Sequence, residues 1–398
     1  MQPLSIAIAG AGPAGLAATL FLCRDGHRVT VFDQFEEPRP LGSGLILQPT
    51  GLAVLEELGL ATRILALGKR IDRLFGRTLP SGRVVLDVRY HLLGCNRFGL
   101  GVHRAALFNV LHDAVRAENV AIETRRQVTG IERGADRRPI LVCAGGTRAG
   151  PFDLVIDALG VRSPLWPAFG GGDRRELAYG ALWASLPWPA AGFDASALEQ
   201  RYHRASTMVG VLPIGRRRDC ESEEAAFFWS LRLEDSAKWR NEGLDAWKVA
   251  ARKLWPDTSP LLDAIRDPEQ MTLARYGHHM LRRPFAERIV AIGDAFHAAS
   301  PQLGQGANMA LLDARTLALM LSASDDLHDA LALYADARRR QMRYYQAISR
   351  GFTPFYQSDS RLLPPLRDFV IAPATRLPML RWLVAASVAG LVLLERPR

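Results

Sequence analysis

Two glycine-rich turns hold the residues of this 398-residue chain whose types and spacing suit chemistry at a phosphate or a developing anion. The first is Gly10-Ala11-Gly12-Pro13-Ala14-Gly15. It lies between an apolar strand pattern (Leu4–Ala9) and a helix pattern (Leu16–Arg24), and a second strand pattern (His27–Phe32) ends at Asp33. In that context the glycine spacing is the dinucleotide one: Gly10 makes the turn, Gly12 admits a pyrophosphate, and Gly15 lets helix and strand pack closely. The pyrophosphate would sit at the helix N-terminus, and Asp33 is placed to hold ribose hydroxyls. The second turn lies in Ile289–Ala314, IVAIGDAFHAASPQLGQGANMALLDA. A β-branched run ends at Gly293-Asp294, a loop follows through Pro301, Gly304, Gln305 and Gly306, and a helix is expected from Ala307 to about Ser322. Glycines let a ligand approach the backbone, and the free N–H groups of a helix start favour a group that becomes anionic. Asp294, at a strand end, is a candidate acceptor for sugar hydroxyls.

The second segment closely resembles the FAD fingerprint of the para-hydroxybenzoate-hydroxylase-like (class A) flavoprotein monooxygenases, written GD…P…GQG.N.A..DA. Three further stretches resemble motifs of that family. Gly42-Ser43-Gly44-Leu45-Ile46-Leu47-Gln48-Pro49 is similar to the G.G….P segment near the flavin ring, which makes Gly44 and Gln48 candidate ring neighbours. Val102-His103-Arg104-Ala105-Ala106-Leu107 is similar to HR..L, whose arginine approaches the FAD; a planar donor fork there can neutralise pyrophosphate charge. Asp157-Ala158-Leu159-Gly160-Val161-Arg162-Ser163 is similar to GADG..S but departs from it: Asp157 replaces the first glycine and Leu159 the aspartate. A leucine accepts no hydrogen bond, so the docking of a pyridine nucleotide through that carboxylate is put in doubt. The resemblance covers nearly the whole chain. It implies one FAD held by Gly10, Gly12, Pro13, Ala14, Gly15, Asp33, Gly44, Gln48 and Arg104 together with Gly293, Asp294, Pro301, Gly304, Gln305, Gly306 and Asn308.

The family implies NADH or NADPH as transient reductant, dioxygen as co-substrate, and hydroxylation of an aromatic or phenolic small molecule through a C4a-hydroperoxyflavin. Such chemistry resides in the cofactor, and no acid–base side chain declares itself as catalytic in the sequence. His297, in the motif loop, is expected to be a hydrogen-bonded structural histidine, with ordering of the loop as the alternative. Alternatives on the same scaffold are Baeyer–Villiger oxygenation, epoxidation, double-bond reduction, or flavin binding without oxygenase activity. Halogenation is disfavoured, because Trp183-Ala184-Ser185-Leu186-Pro187 does not match the WxWxIP segment of flavin halogenases.

These motifs need an α/β scaffold: a Rossmann-like FAD-binding domain of the glutathione-reductase type with an inserted mixed β-sheet domain and C-terminal helices. Residues 1–70, 95–165 and 286–322 are expected to form the FAD-binding domain, 71–94 and 166–285 the substrate sheet, and 323–398 a helical region. Arg70–Arg89 reads as a hairpin around Pro80-Ser81-Gly82. Val120–Thr124, Val128–Arg133 and Ile140–Cys143 read as an antiparallel crossover. Leu177–Leu186, Thr207–Leu212 and Ala226–Leu233 read as strands of the second sheet, with one helix at Leu244–Leu254. Tyr179, Trp183, Tyr202, His203 and Trp229 are its candidate substrate contacts.

The formal charge of +9 rests on arginines spread along the chain, with no nucleic-acid motif, so nucleic acid is not an expected partner. Four scattered cysteines (Cys23, Cys95, Cys143, Cys220) form no CxxC pair; no metal site or disulfide framework is expected, which fits a reducing cytoplasm. Glycines and a proline interrupt the apolar N-terminus, and no basic residue precedes it, so it does not read as an export signal. The apolar run Trp382–Leu394 is too short to span a bilayer. A helix covering the core or mediating self-association is the main reading, with peripheral membrane contact as the alternative; a monomer or homodimer is expected.

Overall fold

The computed structural model describes residues 2–37, 42–172, 174–219 and 221–394. Its central sheet runs in the order Phe285–Ala286, Ile289–Ala291, Leu154–Asp157, Ser5–Ala9, Arg28–Phe32, Ala121–Glu123, parallel except for the first, two-residue strand. Ile8 lies opposite Val31 and Ile156. Ile6, Ile8, Val155 and Val290 are inaccessible, as expected of parallel strands covered on both faces. Helix α1 (Pro13–Arg24), α2 (Pro49–Glu57), α3 (Arg104–Ala117) and α4 (Gly306–Ala323) pack around this sheet and share its core. The long α5 (Leu327–Tyr356) packs along α4, and α6 (Pro378–Val388) closes the chain over the loops at the sheet's carboxyl edge.

A second sheet has seven strands, in the order Thr272–Ala274, Tyr179–Pro187, Glu224–Arg232, Thr207–Gly215, Ala197–His203, Arg73–Leu79, Val84–Arg89. It is mixed because Ala197–His203 pairs in parallel with Arg73–Leu79, whereas the other pairings are antiparallel. The expected hairpin is its edge. Two expectations are corrected. Ala121–Glu123 joins the parallel sheet beside Arg28–Phe32, and the third strand of the crossover is Arg148–Ala149. The strand Ala197–His203 was not anticipated, because its apolar alternation is weak and its partner lies more than a hundred residues away. Cys23, Cys95 and Cys143 are free thiols, and Cys220 lies outside the described residues. Among the described residues no single helix is long and apolar enough to cross a membrane.

One buried carboxylate ties the strand end after Ile289–Ala291 to both long helices. Asp313, on α4, has no solvent exposure. Its Oδ2 accepts from the Gly293 amide at 2.8 Å and pairs with His297 Nε2 at 2.7 Å; its Oδ1 accepts from Arg338 Nε of α5 at 2.7 Å. Arg338 also donates to Gln341 Oε1, whose amide reaches the Gly390 carbonyl at 3.1 Å. Burial would raise the Asp313 carboxyl, but His297 and Arg338 outweigh it and hold it below the ordinary 3.8. A carboxyl with a lower value folded than unfolded stabilises the fold above its unfolded value; that contribution is lost as pH falls through the folded one. Asp313→Asn strands Arg338 in the core and is expected to cost about 3–5 kcal/mol in urea unfolding. It should also flatten the acid limb of the stability profile; a loss below about 1 kcal/mol would contradict the assignment.

Candidate active site

The loops at the carboxyl edge of the central sheet converge because small residues let them touch. A side chain on Gly10 would come 2.5 Å from the Ala158 carbonyl, and one on Gly15 would collide with the Gly10 carbonyl. Gly293 is wedged between Ala14 of α1 and Ala310 of α4, at 3.1 and 3.3 Å from where its Cβ would stand. The two glycine-rich turns are therefore neighbours, and both helix starts lack a side-chain cap. At α1 the amides of Ala14 and Gly15 have no acceptor within the helix, while Pro13 has no N–H to satisfy. At α4 the same holds for Gly306, Ala307 and Asn308. Space lies open at both: nothing stands within 4 Å of a Cβ on Gly12, and only Asp294 Oδ1, at 4.0 Å, stands near one on Gly306.

The polar candidates divide by what their side chains do. Asp33 accepts from the Ala11 amide at 2.8 Å and from the Phe35 amide at 3.0 Å, so it shapes the first turn and is still half-exposed beside it. Asp294 is exposed, and its carbonyl pairs with His279 Nε2 at 2.9 Å. Asn308 is wholly committed: Oδ1 accepts from the Gln48 amide at 2.8 Å, and Nδ2 donates to the carbonyls of Ile46 (3.1 Å) and Gly304 (3.0 Å). It clamps the start of α2 to the turn before α4. Pro301 begins the short 3-10 turn that ends at Gly304, whose φ of +60° closes it. Gln305 turns away from the loops, its Nε2 bonding the Val388 carbonyl at the end of α6. Gly44 packs against Ile214 and Ala226 of the second sheet.

Gln48 differs from these. It is fully buried; its Oε1 accepts from Tyr90 OH at 2.7 Å, but its Nε2 has no partner and lies 3.7 Å from a Cβ position on Gly304. A buried amide donor without an acceptor is costly, and this one is directed at the turn where the sequence expects a ligand. Arg104 opens α3, with its backbone amide on the Ser43 carbonyl at 2.8 Å and its guanidinium against Gly42. It has no carboxylate partner among the described residues. In the third motif Asp157 has turned inward. Its Oδ1 accepts from the Leu159 amide at 3.0 Å and its Oδ2 from Ser163 Oγ at 2.5 Å; burial raises its carboxyl to about 6. The carboxylate missing at Leu159 is thus not resupplied by Asp157, which holds the loop from within.

Sequence reasoning missed two groups here. One is a chain of hydrogen bonds joining α3 to the second sheet. His103 Nδ1 accepts from the Ala105 amide at 2.9 Å, so its Nε2–H faces Ser185 Oγ at 3.0 Å; Ser185 meets Ser43 Oγ at 2.8 Å, and Ser43 donates to the Ala184 carbonyl at 3.1 Å. The other is Tyr276, whose hydroxyl accepts from Trp183 Nε1 at 2.8 Å. Burial raises its phenol to about 12, with nearby Arg104 pulling the other way. Among the described residues Tyr276 has no acceptor for its own proton. Trp183 packs on Phe228 at a tilt, with ring centroids 4.6 Å apart, so an aromatic wall stands near Arg104. A tyrosine in Arg275-Tyr276-Gly277-His278-His279 has no motif to mark it.

The remaining substrate candidates part company. Tyr179 donates to Asp359 at 2.6 Å beside a cleft of about 790 Å³ lined in part by Arg175, Arg232, His278 and Arg350. His203 ends its strand at a hairpin, half-exposed. Tyr202 is buried in the core, and Trp229 is part-buried at the margin of another core cluster. Tyr202 is buried against Tyr356 with its hydroxyl on Gln200 at 2.8 Å. Trp229 faces the opposite side of the sheet from Phe228 by strand alternation and packs on Trp247. No group of three or more His, Cys, Asp or Glu among the described residues could hold a metal ion.

Burial and nearby Arg217 lower His103 from the ordinary 6.5 to about 4. The unfolded chain therefore binds that proton first, and stability should fall as pH drops from about 6.5 towards 4. In thermal melts His103→Gln should lose this part of the acid limb; an unchanged pH profile would contradict the buried neutral ring.

A family model described as an FAD binding domain matches residues 4–343. The phenazine 1,6-dicarboxylic acid hydroxylase of Lysobacter antibioticus is 30% identical over 374 residues, covering 84% of this chain and 86% of that protein. The salicylate hydroxylase of Pseudomonas putida is 27% identical over 371 residues, covering 84% and 81%. The Klebsiella pneumoniae HpxO protein, solved with FAD and uric acid, has the same fold: TM-score 0.81 at 21% identity, over 96% of this chain and 97% of that one. With its motif turns assembled at one sheet edge, the chain belongs to the class A FAD-dependent flavoprotein monooxygenase family.

Proposed function

We propose that this protein is an NAD(P)H-driven FAD monooxygenase that hydroxylates a small aromatic or phenolic compound. The observation that carries the reading is Gln48 Nε2, a buried donor left free beside the Gly304 turn, where the polar edge of an isoalloxazine would satisfy it. The open spaces over Gly12 and Gly306 and the two uncapped helix starts fit the same cofactor. In this assignment Gly10–Gly15 and Asp33 hold the adenosine half, Asp294 and Arg104 the sugar and pyrophosphate, and Pro301–Gly306 with Gln48 the ring. Residues 1–70, 95–165 and 286–322 form the cofactor-binding part, and the seven-stranded sheet roofs it. FAD, when bound, supplies the redox chemistry, taking electrons from NAD(P)H and activating dioxygen so that one atom enters the substrate.

The chain's own residues bind, orient and exclude water. The amides of Gly306, Ala307 and Asn308 present fixed positive potential to an anionic reduced cofactor without reorganisation. Trp183, part-buried and backed by the core ring of Phe228, gives a substrate ring an apolar wall that helps to exclude water. Tyr276 keeps its proton at neutral pH and donates it to a substrate oxygen, its orientation held by Trp183. Asn308 and the His103–Ser185–Ser43 chain keep the cofactor loops in register with the sheet. The reductant docks without a carboxylate from the third motif, since Leu159 cannot accept a hydrogen bond and Asp157 is enclosed.

The test is oxidation of NADH and of NADPH by the FAD-loaded protein with a panel of phenols and aromatic acids. Oxidation stimulated by one of them, with labelled oxygen from dioxygen in its product, is expected. Unstimulated oxidation yielding only hydrogen peroxide would contradict the reading. Gln48→Glu keeps an acceptor for Tyr90 but removes the free donor, and should weaken FAD binding about tenfold or more in a fluorescence titration. Unchanged affinity would remove Gln48 from the cofactor site.

A further inference from the structure

The end of the chain is built with one face for the protein and another that nothing in the fold covers. Leu363–Ala374 and α6 form two short limbs that meet at 108°. Both rest on the edge strand Val84–Arg89, and Ala372, Ala385 and Val388 are buried there. The inner side is well tied: Tyr345 OH donates to the Ser387 carbonyl at 2.9 Å, and Gln305 to that of Val388. The outer side carries Leu362, Phe369, Val370, Leu377, Met379 and Trp382, with Leu362 83%, Met379 78% and Phe369 63% exposed. Elsewhere among the described residues large exposed apolar side chains are single and scattered (Leu65, Val161, Val249, Leu333). A concentration of this kind marks an interaction surface.

The charges around it select the partner. Between residues 361 and 394 the only acid is Asp368, and the Arg367 Nε takes its carboxylate at 2.7 Å. Arg361, Arg376 and Arg381 have no carboxylate partner among the described residues, and Arg83 lies over the Phe369 ring at 4.3 Å. A two-fold contact between copies of this face would set arginine against arginine, with only Asp368, already paired with Arg367, to answer them. A surface of anionic headgroups over hydrocarbon answers both features: it pairs the arginines and buries the apolar tips, and a half-exposed tryptophan suits that boundary. Each limb is too short to cross such a layer, since about twenty residues are needed. We propose that the outer face of Leu362–Leu383 docks the enzyme flat on an anionic lipid bilayer.

The test is co-sedimentation of the FAD-loaded full chain with vesicles of phosphatidylcholine containing about 30 mol% phosphatidylglycerol, against phosphatidylcholine alone. The bound fraction should be about tenfold higher on the anionic vesicles and should fall in high salt. The triple variant Phe369→Ser/Met379→Ser/Trp382→Ser changes only exposed side chains. It should lose binding about tenfold while keeping its melting temperature and flavin content. Arg376→Gln/Arg381→Gln should bring binding down to the level seen with phosphatidylcholine alone. A wild-type chain that stays in the supernatant with anionic vesicles overturns the proposal, and so does binding that the triple variant retains. A dimer that the triple variant converts to monomer would assign the face to a second copy and overturn it equally.

Discussion

The carboxylate of Asp313 is the constraint on which the rest of the site depends. It accepts from the amide of Gly293, from His297 and from Arg338, and so fixes in one buried point a strand end, the loop that follows, and the two longest helices. Full burial makes each of those bonds worth more and their loss dearer. Because Gly293 is held there, it can stand between Ala14 and Ala310, and the starts of α1 and α4 are brought to one place. Arg338 carries the same restraint through Gln341 to Gly390, so the chain's last helix is seated by the network that shapes the glycine-rich turn.

Around that point the protein uses its polar side chains to hold loops and leaves backbone groups to meet a ligand. Asn308, Asp157 and His103 spend all or most of their hydrogen bonds inside the fold, and Gln305 turns its Nε2 there. Among the described residues, what is left over includes two uncapped helix starts, space over Gly12 and Gly306, a guanidinium at Arg104 without a carboxylate partner, the Tyr276 proton, and the unpartnered Gln48 Nε2 and Gln305 Oε1. As the proposed cofactor site, this arrangement would position and polarise a flavin without reacting itself. That agrees with a family in which the flavin carries the difficult chemistry and the polypeptide decides what reaches it.

The glycine turns were legible in the sequence because their constraint is local: spacing, a strand before and a helix after are enough. Gly15 was expected to let helix and strand pack closely and Gly10 to make the turn, and a Cβ on either would meet backbone; Gly293 was expected only to end its strand, and its wedging between Ala14 and Ala310 is visible only in the fold. The same reading placed Asn308 and Gln305 by position in a motif, and only the fold shows that their side chains serve other segments of the chain. The least legible features are those made by distant segments. Ala197–His203 is a strand because Arg73–Leu79 lies beside it. Tyr202 is core because Tyr356 and the buried Arg367 close over it, with ring centroids 5.1 Å apart in the first case. Trp183 gains its place from Tyr276, and no spacing rule links residues 93 positions apart.

The central claim is that these turns enclose one flavin, and addition of FAD to the purified chain, followed in the visible spectrum, tests it most directly. The account predicts a yellow protein with a resolved flavin band and binding that saturates at one FAD per chain. A protein that stays colourless, with the spectrum of FAD unchanged on mixing, would contradict it.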